Sequence, residues 1–168
     1  MIPRIAKFEK VSRIQFDEAL IRLDIDLIHS KSLDEAALPV RATAGSAGYD
    51  FCSTLSFELN PGESVVVPSG IRCSIAPGWA LFMLPKSGLG FKFRLQLDNT
   101  VGLVDQDYYF SENEGHIMIK VTNDSKEGKV VKINKGDKLC QGVFLPYGIT
   151  IDDRADGIRN GGFGSTGA

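Results

Sequence analysis

Asp98 to Phe110, DNTVGLVDQDYYF, sets three carboxylates (Asp98, Asp105, Asp107), a carboxamide (Asn99) and two phenols (Tyr108, Tyr109) around an apolar core of Val101, Leu103 and Val104. Side chains of these types can exchange protons with a ligand held over them and hydrogen-bond to it. Val101, Leu103 and the alternation that follows predict a hairpin with a buried inner face. Gly102 permits a close backbone approach or a bulge. Such a segment serves as the floor of a pocket, or as an ordinary polar hairpin with surface aspartates and a half-buried tyrosine pair.

Two other stretches carry chemistry. Pro85 to Gly90, PKSGLG, follows an apolar strand and presents Lys86, Ser87 and two glycines at its end. Successive free backbone N–H groups beside Lys86 and Ser87 make an anion-binding concavity, although the spacing is not that of a Walker loop. The tail, Arg159 to Ala168 (RNGGFGSTGA), is too rich in glycine to fold by itself. It is either a frayed terminus or an arm that orders over a ligand. In the second case Phe163 stacks on a planar ring while Arg159, the hydroxyls of Ser165 and Thr166 and glycine amides reach anionic oxygens.

The rest of the chain must position these segments. With 168 residues, 43% hydrophobic and 24% charged, it has the size of a single domain. A net charge of −2 with no basic run argues against a dedicated duplex nucleic-acid binder. Three cysteines (Cys52, Cys73, Cys140) and two histidines (His29, His116), all well separated, indicate neither a disulfide framework nor a zinc site. Reduced, buried thiols are the simplest reading. No run approaches the ~20 apolar residues of a membrane span, and the N-terminus lacks a signal-peptide core, so a cytoplasmic location with no membrane partner is expected.

In chain order, Arg4 to Val11 alternates as a strand. Ser12 and Gln15 make a capping-box pair, and Phe16, Leu20, Leu23 and Leu27 recur at helical spacing. From Pro39 onward the texture is short strands and turns. Ala44 to Phe51, AGSAGYDF, turns sharply into a strand, its Asp50 being catalytic or a buried structural carboxylate. Pro61-Gly62 and Pro77-Gly78 bracket strands at Val65–Val67, Ile71–Ile75 and Trp79–Leu84. Further strands are predicted at His116–Thr122, Lys129–Ile133 and Leu139–Leu145. This cadence is all-β, a jelly-roll-like β-barrel of short strands with one N-terminal helix and a Gly-rich C-terminal arm. The domain spans 1–168, with an N-terminal extension over 1–37 and a mobile arm over 155–168.

Taken in order, AGSAGYDF, PKSGLG, NTVGLVDQDYYF, KLCQGVF and RNGGFGSTG resemble the five ordered motifs of the trimeric dUTPase family. The resemblance covers Ala44 to the C-terminus. It implies a homotrimer with active sites at subunit contacts and Mg²⁺-dependent hydrolysis of dUTP to dUMP and pyrophosphate. Asp105 matches the aspartate that activates the attacking water, and Gln141 a residue supporting the phosphate and water network. Tyr108 matches the ring beneath the deoxyribose, where a 2′-hydroxyl would collide. Asn99 and the backbone of Gly102, Leu103 and Val104 match the segment that reads uracil. Lys86, Ser87 and Gly88 match the phosphate motif, and Met118 falls among the implied substrate contacts. Phe163 matches the ring that closes over uracil, with Gly164, Ser165, Thr166 and Arg159 about the phosphates. The metal rides on the triphosphate and waters, so no protein cage is implied.

The chain departs from the family pattern in several places, among them Lys138 and Cys140 beside the retained Gln141. Lys86 replaces the commoner arginine and gives up its bidentate fork. Arg159 lies one residue closer to Gly161 than usual. YFSENEGH (109–116) replaces a short glycine connection beside the pocket, and residues 1 to about 37 exceed the usual short leading strand. Two other functions remain open. One is a dCTP deaminase, alone or bifunctional, whose chemistry needs a glutamate against C4 of cytosine; none follows Asp105 until Glu112. The other is a nucleotide-switched regulatory protein on the same scaffold.

Overall fold

Period-2 alternation between turn residues becomes a set of short strands in the computed structural model, which describes residues 2–159. They are β1 (Ala6–Lys10), β2 (Val40–Arg41), β3 (Tyr49–Cys52), β4 (Phe57–Leu59), β5 (Ser64–Pro68), β6 (Ile71–Ile75), β7 (Trp79–Pro85), β8 (Leu95–Leu97), β9 (Gly102–Val104), β10 (Met118–Asn123), β11 (Val131–Ile133) and β12 (Lys138–Pro146). Helices α1 (Arg13–Arg22), α2 (Ser32–Glu35) and α3 (Ser87–Phe93) and 3₁₀ turns at Leu27–Lys31 and Gln106–Phe110 complete the chain. The largest sheet has the order β2-β3-β12-β7-β9, and β5-β10-β8, β1-β6 and β11-β4 form smaller ladders. All pairings are antiparallel. Phe51, Val67, Leu81, Leu97, Ile119, Val131 and Leu139 reach one core from these strands, which is the jelly-roll-like all-β architecture read from the sequence.

Strand β6 shows why the alternation was readable. Ile71, Cys73 and Ile75 point inward while Ser74 is exposed. The segment from Asp98 to Phe110 is different, because it is not a hairpin. Among the described residues β8 pairs with β10 and β9 with β7, not with each other. Bonds from Thr100 N to Leu97 O (2.9 Å) and Val101 N to Asn99 O (2.6 Å), with Thr100 left-handed at φ 64°, turn the chain out of one sheet and into another. Of the three apolar residues only Val104 is buried (7% exposed), against 41% for Val101 and 54% for Leu103. The alternation then stops, and Gln106–Phe110 coils into its 3₁₀ turn.

The N-terminal extension is built into the body. Strand β1 pairs with β6 along its length, and Phe8 packs edge-on against Tyr49 and Phe51. Ser12 caps α1, its Oγ accepting from Gln15 N at 3.1 Å. The return bond of the expected capping box does not come from Gln15. Glu114 supplies it, accepting from Ser12 N at 2.8 Å and Ser12 Oγ at 2.6 Å. Phe16 and Leu20 fill a second core with Val11, Leu33 and Leu55. The helix ends before the stripe does, because Asp24 turns left-handed, and Leu27 is exposed. Leu33, in a stretch with no clear sequence pattern, is drawn into the short helix α2 by this same core.

Phe16→Ala is expected to lower the unfolding free energy by about 3–5 kcal/mol in urea denaturation, since a fully buried ring leaves a cavity. A loss below about 1 kcal/mol would mean that α1 is loosely attached.

Candidate active site

A cavity of about 290 Å³ opens where the chain passes from β8 to β9. Its walls include Asn99, Gly102, Leu103, Val104, Tyr108, Met118 and Arg159, together with Met83, Leu97, Asp98 and Lys120. Seven residues singled out in the sequence are thereby brought together. A side chain at Gly102 would crowd the wall, since a Cβ would lie 3.0 Å from Met83 Cβ. Strand β9 is the last of its sheet, so its outer edge has no ladder partner among the described residues. Backbone donors and acceptors on that edge, with the Asn99 carboxamide, can pair with the polar edge of a planar ligand.

Tyr108 is the buried ring of the cavity. Its hydroxyl donates to His116 O at 2.7 Å and accepts from Asn113 Nδ2 at 2.8 Å. Burial pushes the phenol pKa up, so it stays neutral. His116 is fully buried and its pKa falls to about 4, chiefly through burial; its Nε2 accepts from Gly70 N at 2.9 Å. Tyr109 turns away from the cavity, donating to Glu9 Oε2 at 2.7 Å beneath the Arg72 guanidinium, 3.7 Å from its ring centroid. Sequence reasoning missed Asn113, Glu9 and Arg72, for which no local signal existed.

Of the three aspartates of the segment, Asp105 and Asp107 share one arginine and Asp98 stands apart. Asp105 precedes the 3₁₀ turn and is 36% exposed; its Oδ2 accepts from Arg159 Nη2 at 2.6 Å. Arg159 Nε also lies 3.2 Å from Asp107 Oδ1, and its Cζ is 5.8 Å from the Tyr108 ring centroid. Asp98 is engaged with Lys120 at 2.6 Å and with the Thr122 hydroxyl. Burial raises the Asp98 pKa, but these two donors outweigh it and the net shift is downward.

Lys86, Ser87, Gly88 and Gln141 lie outside this cavity's lining and form a second group. PKSGLG is not the strand-end loop expected. Lys86 is the N-cap of α3, and Gly90 N bonds to Lys86 O at 2.9 Å. This leaves the Ser87, Gly88 and Leu89 amides as first-turn donors without an intrahelical acceptor. Lys86 Nζ is paired with Asp50 Oδ1, while Lys138 Nζ lies 2.7 Å from Asp50 Oδ2. Asp50 is 5% exposed. Burial drives its pKa up, and the two lysines more than reverse this, keeping it ionised. It is the structural carboxylate of the two readings. Gln141 lies opposite Asp50 of β3 and Leu84 of β7, donating from Nε2 to Pro85 O at 3.2 Å. Phe163, Gly164, Ser165 and Thr166 lie outside the described residues.

Cys52, Cys73 and Cys140 are free; Cys73 and Cys140 are buried as expected but Cys52 is only half-buried, and burial pushes Cys73 up to about 12. No helix among the described residues is long and apolar enough to cross a membrane.

Residues 34–167 match the family model for dUTPase. The chain is 38% identical over 154 residues to the deoxyuridine 5′-triphosphate nucleotidohydrolase of Haemophilus influenzae (strain PittEE), covering 87% of this chain and 97% of that one. It superposes on the crystal structure of dUTPase from Streptococcus mutans with a TM-score of 0.65 at 33% identity, over 87% of this chain and 98% of the other. The dUTPase of Staphylococcus bacteriophage 80alpha with dUpNHpp, 20% identical, shares the fold at a TM-score of 0.65 over 99% of this chain and 100% of that one. The chain belongs to the dUTPase family. Its activity is dUTP hydrolysis, that of a dUTP diphosphatase.

The Asp50 site has a pH signature. A carboxyl depressed in the folded state adds stability above its unfolded pKa and loses it as pH falls through the folded value. Asp50→Asn is therefore expected to be less stable than wild type at neutral pH, with the gap closing as pH falls below about 4. Thermal melts across pH check this; a gap unchanged down to about pH 2.5 would rule out ionised Asp50 as its source.

Proposed function

We propose that the chain hydrolyses dUTP to dUMP and pyrophosphate through attack of an Asp105-oriented water on the α-phosphorus. The observation that carries this reading is the cavity that joins Asn99, the free edge of β9 and Tyr108, with Asp105, outside the lining, one residue beyond Val104 and paired with Arg159 of the wall. Uracil offers an acceptor, donor, acceptor edge, which suits strand amides and a carboxamide; cytosine presents the wrong donor. The sugar rests on Tyr108, where a 2′-hydroxyl collides. A new bond forms from the water oxygen to the α-phosphorus while the bond to the bridging oxygen of the β-phosphate breaks. Asp105 takes the water proton and pyrophosphate leaves. The triphosphate offers Arg159 a more highly charged partner than Asp105, so its transfer to the phosphates frees the carboxylate for water.

Lys86, Ser87 and Gly88 bind phosphate in this reading, and Gln141 supports the water and phosphate network. These residues and the base-reading cavity form separate groups within one chain. The separation supports a homotrimer whose sites are completed by a neighbouring subunit, with Phe163, Gly164, Ser165 and Thr166 closing over the nucleotide. Among the described residues no three His, Cys, Asp or Glu side chains gather as a metal site. Mg²⁺ enters this reading as a companion of the triphosphate oxygens, where it would neutralise their charge. The deaminase alternative gains nothing from the geometry, since Glu112 is exposed and absent from the cavity walls.

Pyrophosphate release should be confined to dUTP among dUTP, UTP, dTTP and dCTP, and Asp105→Asn should lower kcat by roughly 10²–10⁴ with little change in dUTP binding. Ammonia released from dCTP, or full turnover by the variant, would overturn the reading. Light scattering should return the mass of a trimer, and a stable monomer that hydrolyses dUTP at full rate would refute the shared site.

A further inference from the structure

Residues 109–116 and the N-terminal extension play no part in the reaction as read above, yet they are bonded together and their bonds converge on Tyr108. The Tyr108 hydroxyl has one donor and a strong acceptor site. His116 O takes the first and Asn113 Nδ2 the second. Asn113 is itself oriented, because its Oδ1 accepts from Gly115 N at 3.2 Å and its backbone oxygen from His116 N at 3.0 Å. With the oxygen turned to that amide, the NH₂ must face the phenol. Gly115 has φ 71°, and a Cβ there would sit 2.7 Å from both Tyr108 O and Tyr109 Cα. The segment is thus folded against the backbone of the ring it holds.

The extension grips this segment at three points. At the start of α1, Ser12 donates twice to Glu114, through Oγ at 2.6 Å and N at 2.8 Å. Glu9 of β1 accepts from Tyr109 Oη at 2.7 Å. The Phe16 ring lies 6.1 Å, centroid to centroid, from His116, whose carbonyl receives the Tyr108 proton. Arg72 joins the two, donating to Tyr109 O at 2.7 Å with Nη1 3.9 Å from Glu114. Glu9, Ser12 and Phe16 all precede residue 34, where the family match begins.

We propose that Asn113 and the Ser12–Glu114 contact are positioning residues that set the Tyr108 ring beneath the sugar, so that the N-terminal extension determines how strictly 2′-deoxynucleotide is preferred over ribonucleotide. The proposal rests on the reading of the cavity as the nucleoside site. Steric exclusion of one hydroxyl depends on a surface that cannot recede. A ring fixed at its hydroxyl and along its backbone meets that need, whereas a ring fixed only by packing can give way.

The test uses the full chain and compares kcat/KM for dUTP and UTP in wild type, Ser12→Ala, Glu114→Ala and Asn113→Ala, with melting temperature measured alongside. Each variant should lower the dUTP-to-UTP ratio by roughly 3- to 10-fold, the worth of one hydrogen bond, mainly through a lower KM for UTP. Ser12→Thr, which retains the hydroxyl, should restore the wild-type ratio. Ser12→Ala combined with Asn113→Ala should lose little beyond Asn113→Ala alone, because both act through one ring. If Asn113→Ala does not fold, Asn113→Asp keeps the shape and removes the Nδ2 donor. Variants with lowered melting temperature and an unchanged ratio would overturn this inference and leave dUTP hydrolysis standing. A wild-type protein inactive on dUTP would instead overturn the nucleoside-site reading and the inference with it.

Discussion

Strand β7 has a glycine opposite Met83 on each neighbouring strand, and the side chains of β7 crowd both positions. Met83 lies in register with Gly142 of β12 on one side and Gly102 of β9 on the other. A Cβ at Gly102 would come to 3.0 Å from Met83 Cβ, and one at Gly142 to 2.8 Å from Leu81 Cδ1 and 3.4 Å from Met83 Sδ. Close-packed interiors do not absorb such intrusions cheaply. Both groups of candidate site residues border this packing. The free edge of the cavity is β9 itself, Gln141 sits one residue from Gly142 opposite Leu84, and Lys86 follows the last residue of β7. Strand β7 is the common ruler from which the cavity beside β9 and the Lys86–Gln141 group are both measured.

The carboxylates around this strand divide by burial and by the permanence of their partners. Asp50 is almost wholly enclosed and holds lysines from two places in the chain, which makes removing either partner costly. Its business is to hold Lys86. Asp105 is more than a third exposed and faces an arginine from the C-terminal segment. An ion pair with that much solvent contact is readily exchanged, which suits the water-orienting role proposed for Asp105. The two aspartates thus differ by their surroundings rather than by their residue type.

The N-terminal extension brings a separate core and a separate network of polar contacts. Phe16 and Leu20 anchor it, and Ser12, Glu9 and Phe16 then reach the segment behind Tyr108. An added element that packs this firmly can transmit its position to a ring it does not touch, since each intermediate contact is a bond or a packed surface with one arrangement.

Much of this was legible in the residues. Strand β6 could be read to the residue because alternation is a local property of a half-buried strand, and the Ser12 cap because its acceptor is three residues away. The order of the five motifs pointed to the family, to Asn99, Gly102 and Tyr108, which the fold gathers about one cavity, and to Asp105, which pairs with Arg159 of its wall. What periodicity cannot specify is which strand lies beside which. The apolar residues of Asp98–Phe110 fit a hairpin as well as a crossing between sheets, and the left-handed Thr100 turn with a partner waiting in β7 decides for the crossing. PKSGLG became a helix cap for a similar reason, with Lys86 drawn to a carboxylate 36 residues away. Glu114 completes a cap 102 residues before it, beyond the reach of any local pattern. The sequence alone determined the strand alphabet, the turns and the chemical types at the site. Only the tertiary structure decided their partners, because hydrogen bonds and ion pairs between distant residues exist only once the chain has closed the loops between them.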